Sequence, residues 1–226
     1  MESKQKSNPK LSRDKIVNEA ISIADKEGMS SLSMRKLADN LGVEAMSLYH
    51  HIHNKEELIS EMVDAVVPSI PPLSECAEWK DAMRKRADAM KDTLITHPWA
   101  AHEFVAGFNI RPNMLKYVDT TIGYLLSAGF TYKLADYAWN TIDSYIYGFN
   151  MQSQNFPLKP SEFKAAAKEF LPTIPKDTHP YMHGMSLSII NGTHDGIQDF
   201  HFGLNLILES LDQVRLQNNM NSGKRR

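Results

Sequence analysis

Gly42 sits in a tight turn between two short helical segments, and a longer helix ahead of them braces the pair. From Ser33 to Asn40, followed by Leu41, the inward positions are Leu37, Ala38 and Leu41. After Gly42, a second short helix is expected from Glu44 to about Ile52. The brace runs from Ser12 to Glu27, where Ile16, Ala20, Ile23 and Ala24 recur at the spacing of one helix face. Ser12 can cap its start, Asp14 lies in its first turn and Gly28 ends it. Two short helices about a glycine turn, with a longer one packed behind, form the helix-turn-helix layout, here over residues 33–52.

The rest of the chain is patterned for helices too. Asn54 begins a helix with Glu57 three residues on, an asparagine version of the capping box, and Leu58, Met62 and Val66 form its buried side. Pro68, Pro71 and Pro72 stop it, which places a domain boundary there. Further apolar stripes start at Trp79 (Met83, Met90, Leu94), open at Arg111-Pro112, run from Thr131 to about Gln152, and run from Asp199 to Val214 through Phe200, Leu204, Ile207, Leu208 and Leu211. Asn218 to Arg226 is expected to fray as a polar tail. No strand pattern and no internal repeat is evident. The expected fold class is all-α, with a three-helix helix-turn-helix domain at 10–70 and a larger helical domain at 76–216.

Composition removes several function classes. No apolar run approaches the ~18 residues a bilayer span needs. The polar stretch Met1–Lys10 lacks the apolar core of a signal peptide. One cysteine, Cys76, allows no intramolecular disulfide. A cytoplasmic protein without membrane attachment is expected. Net charge is −2, and Met1–Lys55 carries nine Lys or Arg against seven Asp or Glu. Nonspecific DNA affinity grows with the number of phosphate contacts, so bulk charge gives little of it. A few placed side chains and dimerisation must supply the remainder.

The second short helix carries suitable side chains for a major groove. Ser47 and Tyr49 offer hydroxyls, His50 and His51 ring nitrogens, and Lys55 a cation beside helix N-terminal amides, while Arg35 can reach a guanine edge. The stretch LGVEAMSLYHHIHNKEEL, within a segment beginning at Leu11, resembles the DNA-binding domain of the tetracycline-repressor (TetR) family. A weaker resemblance continues through EWKDAMRKRADAMKDTLITHPWA, Ile110–Pro112, Ser127–Phe130 and FGLNLILESL. It implies DNA-facing positions at Arg35, Glu44, Ala45, Met46, Ser47, Tyr49, His50, His51 and Lys55. Two departures bear on specificity. Ala45-Met46 stands where tetracycline repressors have Gln-Pro, so apolar groups able to touch a thymine methyl replace a bidentate base reader. Gly107, Phe108 and Asn109 precede Ile110-Arg111-Pro112 without the family's metal-chelating histidine, so tetracycline–magnesium is not the expected inducer.

In the second domain, Met90, Phe108, Tyr124, Trp139, Asn140 and Asp143 are candidate lining for a pocket that takes a small, largely apolar effector. Any one of the large apolar ones reads first as core; together they favour a pocket. His179 and His183 share a helix spacing, but Pro180 lies between them and no third ligand is near, so no metal site is assigned. No cofactor is called for, and no catalytic spacing stands out. The resulting expectation is a homodimeric repressor on a palindromic double-stranded operator, released by a small molecule and not an enzyme. An activator or DNA organiser of the same fold, and a helical enzyme retaining the motif, stand as alternatives.

Overall fold

The computed structural model describes residues 11–67, 78–106 and 110–223. Among them lie eleven α-helices and no strand, which is the all-α class that the apolar periodicity implies. Four helices form the head: α1 (Arg13–Glu27), α2 (Met34–Leu41), α3 (Ala45–Tyr49) and α4 (Lys55–Val66). Ser12 and Ser33 cap α1 and α2, their Oγ atoms accepting from Lys15 N at 3.4 Å and Lys36 N at 3.2 Å. Ile16, Ala20 and Ile23 of α1 are buried with Leu37 and Ala38 of α2, Leu48 of α3 and Leu58 and Met62 of α4. Leu48 and Ile52 are the apolar anchors that bind α3, only five residues long, to this core. The helix expected to reach Ile52 stops at Tyr49, and His50–His51 continue as a turn.

Asn54 caps α4, its Oδ1 accepting from Glu57 N at 2.7 Å. The reciprocal arm differs from the expected capping box. The Glu57 carboxylate takes the N–H of His53 at 2.7 Å rather than that of Asn54, so it fastens the chain one residue before the cap.

Seven helices form the body: α5 (Trp79–Thr96), α6 (Ala100–Ala106), α7 (Pro112–Ser127), α8 (Tyr132–Asn155), α9 (Phe163–Phe170), α10 (Pro180–Asn191) and α11 (Phe200–Gly223). Its core lies where α5, α7 and α8 pack, with Met83, Met90, Leu94, Tyr124, Leu125, Ala138, Ile142 and Ile146 buried. Helix α11 lies on α8 at close range. Tyr145 Oη donates to Phe200 O at 2.8 Å, and a Cβ on Gly203 would stand 2.4 Å from that hydroxyl. The last helix runs through Gly223, well past the expected end at Val214. No proline interrupts it, and Arg215 ties its outer half to the end of α7 by donating to Ala128 O at 2.8 Å.

The turn between α2 and α3 depends on Gly42, which adopts φ +66° and ψ 36° and donates to the carbonyls of Ala38 and Asp39. A Cβ there would meet no atom within 4 Å, so a substitution costs backbone strain alone. Gly42→Ala should lower the stability of the full chain by about 1 kcal/mol, and Gly42→Asn by less, because asparagine tolerates the left-handed region. Urea unfolding checks the order, and an alanine variant as stable as the parent would contradict it.

Candidate nucleic-acid interface and ligand cavity

Packing of Leu48 and Ile52 inward leaves the rest of the α3 segment facing out. Met46 is 71% exposed, Tyr49 is exposed at the end of the helix, and Glu44 and His50 are exposed beside them. Ala45, Ser47 and His51 are half-buried, and Arg35 is exposed on α2. All of the expected contact residues are therefore at least partly exposed. Lys55 is the exception in kind. Its Nζ donates to Leu32 O at 2.7 Å, so part of its donor capacity already holds the start of α4 against the chain before α2.

Helix α4 also belongs to the body. Arg13 of α1 pairs with Glu57, and its Nε lies 2.9 Å from Glu61 Oε1. Arg111, at the cap of α7, pairs with the same Glu61, reaches Glu57 at 3.8 Å and donates to Ser60 Oγ at 3.1 Å. Asp64, one turn further along α4, accepts from Met114 N at 2.8 Å, and its carbonyl takes Asn113 Nδ2 at 3.1 Å. Two carboxylates thus join head and body through one arginine from each, and a third caps α7. The His53 N–H holds the Glu57 carboxyl below the usual carboxylate range; burial opposes this, and Arg13 reinforces it. A second joint lies at the far end of α1, where Asp25 Oδ1 receives Trp99 Nε1 at 2.7 Å and stands 2.8 Å from His97 Nδ1.

Between α4, α6, α7 and α8 lies a cavity of about 530 Å³, within the range typical of small-molecule sites. Val63 of α4 and Met114 of α7, immediately beside the Asp64 cap, form part of its wall. Phe104, Tyr117, Trp139 and Tyr147 supply aromatic faces, with Phe104 and Tyr147 stacked at a 6.0 Å centroid distance and 4° between planes. Asn140, Asp143, Ser144 and Glu103 are its polar members.

Of the pocket residues expected from sequence, Trp139, Asn140 and Asp143 lie on this wall. Met90 and Tyr124 are buried in the helical core and do not line it, because both turn into the α5–α7–α8 packing. Phe108 lies outside the described residues.

Sequence reasoning missed Arg86. It is fully buried behind the cavity wall, between Met83 and Met90 on the inward side of α5. Its Nη2 donates to Asp143 Oδ1 at 2.6 Å, its Nε to Thr121 Oγ1 at 2.9 Å, and its guanidinium lies 4.6 Å from the centre of the Tyr117 ring. Asp143 also receives Trp139 Nε1 at 2.7 Å and lies 3.4 Å from Tyr147 Oη. The available signal was a charged residue at helical spacing on each of two apolar stripes, since buried charges come in pairs.

The Bacterial regulatory proteins, tetR family, match residues 16–62, and the Tetracyclin repressor-like, C-terminal domain matches residues 71–215. An HTH-type transcriptional regulator of Saccharopolyspora erythraea is 32% identical over 148 residues, which is 65% of this chain and 63% of that protein, less than two thirds of its length. The class D tetracycline repressor protein of Escherichia coli is 24% identical over 210 residues, 90% of each chain. Among solved structures, the TetR family protein ActR of Streptomyces coelicolor in complex with actinorhodin superposes with a TM-score of 0.75 at 25% identity, covering 91% of this chain and 99% of that one.

Burial pushes the Tyr147 and Tyr117 phenols above the ordinary tyrosine range, and the neighbouring Asp143 carboxylate adds to it. A pKa raised on folding contributes stability that is complete below the unfolded value, near 10, and declines as pH rises beyond it. The chain should therefore lose stability progressively above about pH 10, and Tyr147→Phe should make that loss shallower. Urea titrations at stepped alkaline pH read the slope; identical slopes in the two proteins would refute the assignment.

Proposed function

This chain belongs to the tetracycline-repressor family of bacterial transcriptional regulators, and on that premise we propose that it is a homodimeric repressor released from a palindromic operator by a small molecule held in the cavity. The observation that carries the proposal is the double membership of α4. Its Glu57 and Glu61 hold α1 of the head, while its Val63 is cavity wall and its Asp64 caps α7. A ligand that alters the wall acts on the helix that carries the head.

In the proposal, residues 10–70 bind DNA and 76–216 bind the effector and the second subunit. Arg35, Glu44, Ala45, Met46, Ser47, Tyr49, His50, His51 and Lys55 face the duplex. Ala45 and Met46 take the base-reading role, and Tyr49 and Lys55 contact the backbone. The second copy covers the outer faces of α8 and α11. Phe202, Leu206, Leu216 and Met220 are exposed along one side of α11, and Tyr137 and Met151 along α8. Gly148, between the latter two, has nothing within 4 Å of a Cβ position, which leaves room for a partner helix to approach. Such faces on two long helices suit a four-helix bundle about a two-fold axis. The similarity to a protein solved with actinorhodin supports a ligand in the body. The departure at Gly107–Asn109 speaks against tetracycline–magnesium as that ligand.

Selection from random DNA duplexes tests the proposal directly. Recovered sites should be near-palindromic, with half-sites about one helical turn, roughly 34–36 Å, apart. Tyr49→Ala should weaken binding to all recovered sites by a similar factor, on the order of tenfold, whereas Met46→Gln should change which bases are recovered. A monomer in solution, or a pool with no enriched sequence, would refute it.

A further inference from the structure

From Leu37 to Asn54, the stretch that includes all of α3, the chain carries no lysine or arginine. The cations around it are largely engaged. Arg13 pairs with Glu57 and Glu61, Lys36 pairs with Glu27, and Lys55 donates to Leu32 O. Contacts between cations and phosphates supply essentially all nonspecific affinity for duplex DNA. What the stretch has instead is three imidazoles within four positions, His50, His51 and His53. His50 and His53 are exposed, and His51 is half-buried.

These three differ from every other histidine. Of nine in the chain, the six in the body each set a ring nitrogen against an oxygen. His97, His102, His194 and His201 meet the carboxylates of Asp25, Glu103, Asp195 and Asp88, His179 meets Thr178 Oγ1, and His183 meets Ile174 O. The rings of His50, His51 and His53 make no hydrogen bond or ion pair among the described residues. The charged groups on the elements around them are Arg35, Lys36 and Asp39 of α2, Glu44 at the cap of α3, and Lys55, Glu56 and Glu57 of α4. Glu57 takes the His53 N–H, not its ring. Both nitrogens of each ring are thus open to an outside acceptor. A neutral imidazole donates from one nitrogen, whereas the protonated ring donates from both and carries a charge.

A phosphate is an anion that only accepts, so contact with it favours the protonated ring. Proton binding that is stronger in the complex than in the free protein makes affinity rise as pH falls. Imidazoles change charge between about pH 5 and 8. We propose that His50, His51 and His53 are the phosphate-contacting cations of this stretch, with His53 an addition to the DNA-facing set, and that DNA binding takes up protons near neutral pH. This rests on the head being the DNA-binding unit.

Titration calorimetry of the full-length protein with a short random-sequence DNA duplex tests it, because phosphate contacts do not depend on sequence. Runs in buffers of different ionisation enthalpy count the protons, and about one or more per complex should be taken up at about pH 7. Affinity should rise about tenfold from about pH 8 to about pH 6. The slope of log affinity against log salt should steepen by about 0.9 for each ring that becomes charged. His50→Gln, His51→Gln and His53→Gln combined should abolish the uptake, and His53→Lys should bind more tightly than the parent at about pH 8, with a shallower pH dependence. The parent's proton count needs no variant, so it decides even if the triple exchange does not fold. Binding without proton uptake overturns the proposal and leaves the DNA-binding reading intact. Uptake that survives the triple exchange places the protons elsewhere, His97 at the second joint being the next in line, and overturns it too. So does a His53→Lys variant that titrates as the parent does. No binding at either pH removes the DNA-binding reading itself, and the proposal with it.

Discussion

Helix α4 is twelve residues long and has two sets of partners. Leu58 and Met62 close the core under α1, and Val63 opens onto the cavity. Glu57, Glu61 and Asp64 recur at the spacing of successive turns, so one edge of the helix presents three carboxylates in a row. Arg13 comes to that edge from the head and Arg111 from the body. Any one of these ion pairs, partly exposed, is worth little by itself. Their value is geometric: they fix the position of α4 against α1 and α7 together, so the head cannot change its angle to the body without disturbing a shared set of contacts.

The head was legible in the sequence because its signals are local. Ser12, Ser33 and Asn54 each cap the helix that begins after them, and Gly42 makes the turn its lack of a side chain allows. What was not legible is what crosses between segments. Glu57 has the capping-box position, yet its carboxylate goes to His53 and to Arg13, whose guanidinium comes from a helix 44 residues away. Trp139, Asn140 and Asp143 lie on the cavity wall, where polar groups interrupt an apolar stripe. Met90 and Tyr124 lie in the core instead; an aromatic or methionine residue on a stripe looks the same in sequence whether it packs against another helix or lines a space. Arg86 escaped notice because α5 carries several other cations, and only the fold shows which one turns inward.

The weak charge surplus of the head is weaker still once the structure is considered. Arg13 is held by Glu57 and Glu61, Lys36 pairs with Glu27, and Lys55 spends a donor on Leu32 O. Those cations stabilise the head itself. Phosphate contacts, and the counterion release that accompanies them, must come from few remaining groups. A single head is poorly equipped to hold DNA, and in the proposed homodimer two heads at a fixed separation would gain from the high effective concentration of the second once the first has landed. Under that proposal, control of the separation would be control of binding.

That control needs little energy. A ligand shifts a two-state protein only by the difference between its affinities for the two states. A tenfold loss of operator affinity corresponds to about 1.4 kcal/mol, comparable to one hydrogen bond gained in one state and missing in the other. Val63 and Met114 place the α4 and α7 walls of the cavity next to the Asp64 cap, so a ligand that spreads them works against that cap and against the Glu61–Arg111 pair together. The Arg86–Asp143 pair beneath is far more costly to break, since loss of either partner would leave a buried charge alone. In the proposed release, the deep end of the cavity would be the fixed reference and the α4 wall the part that yields.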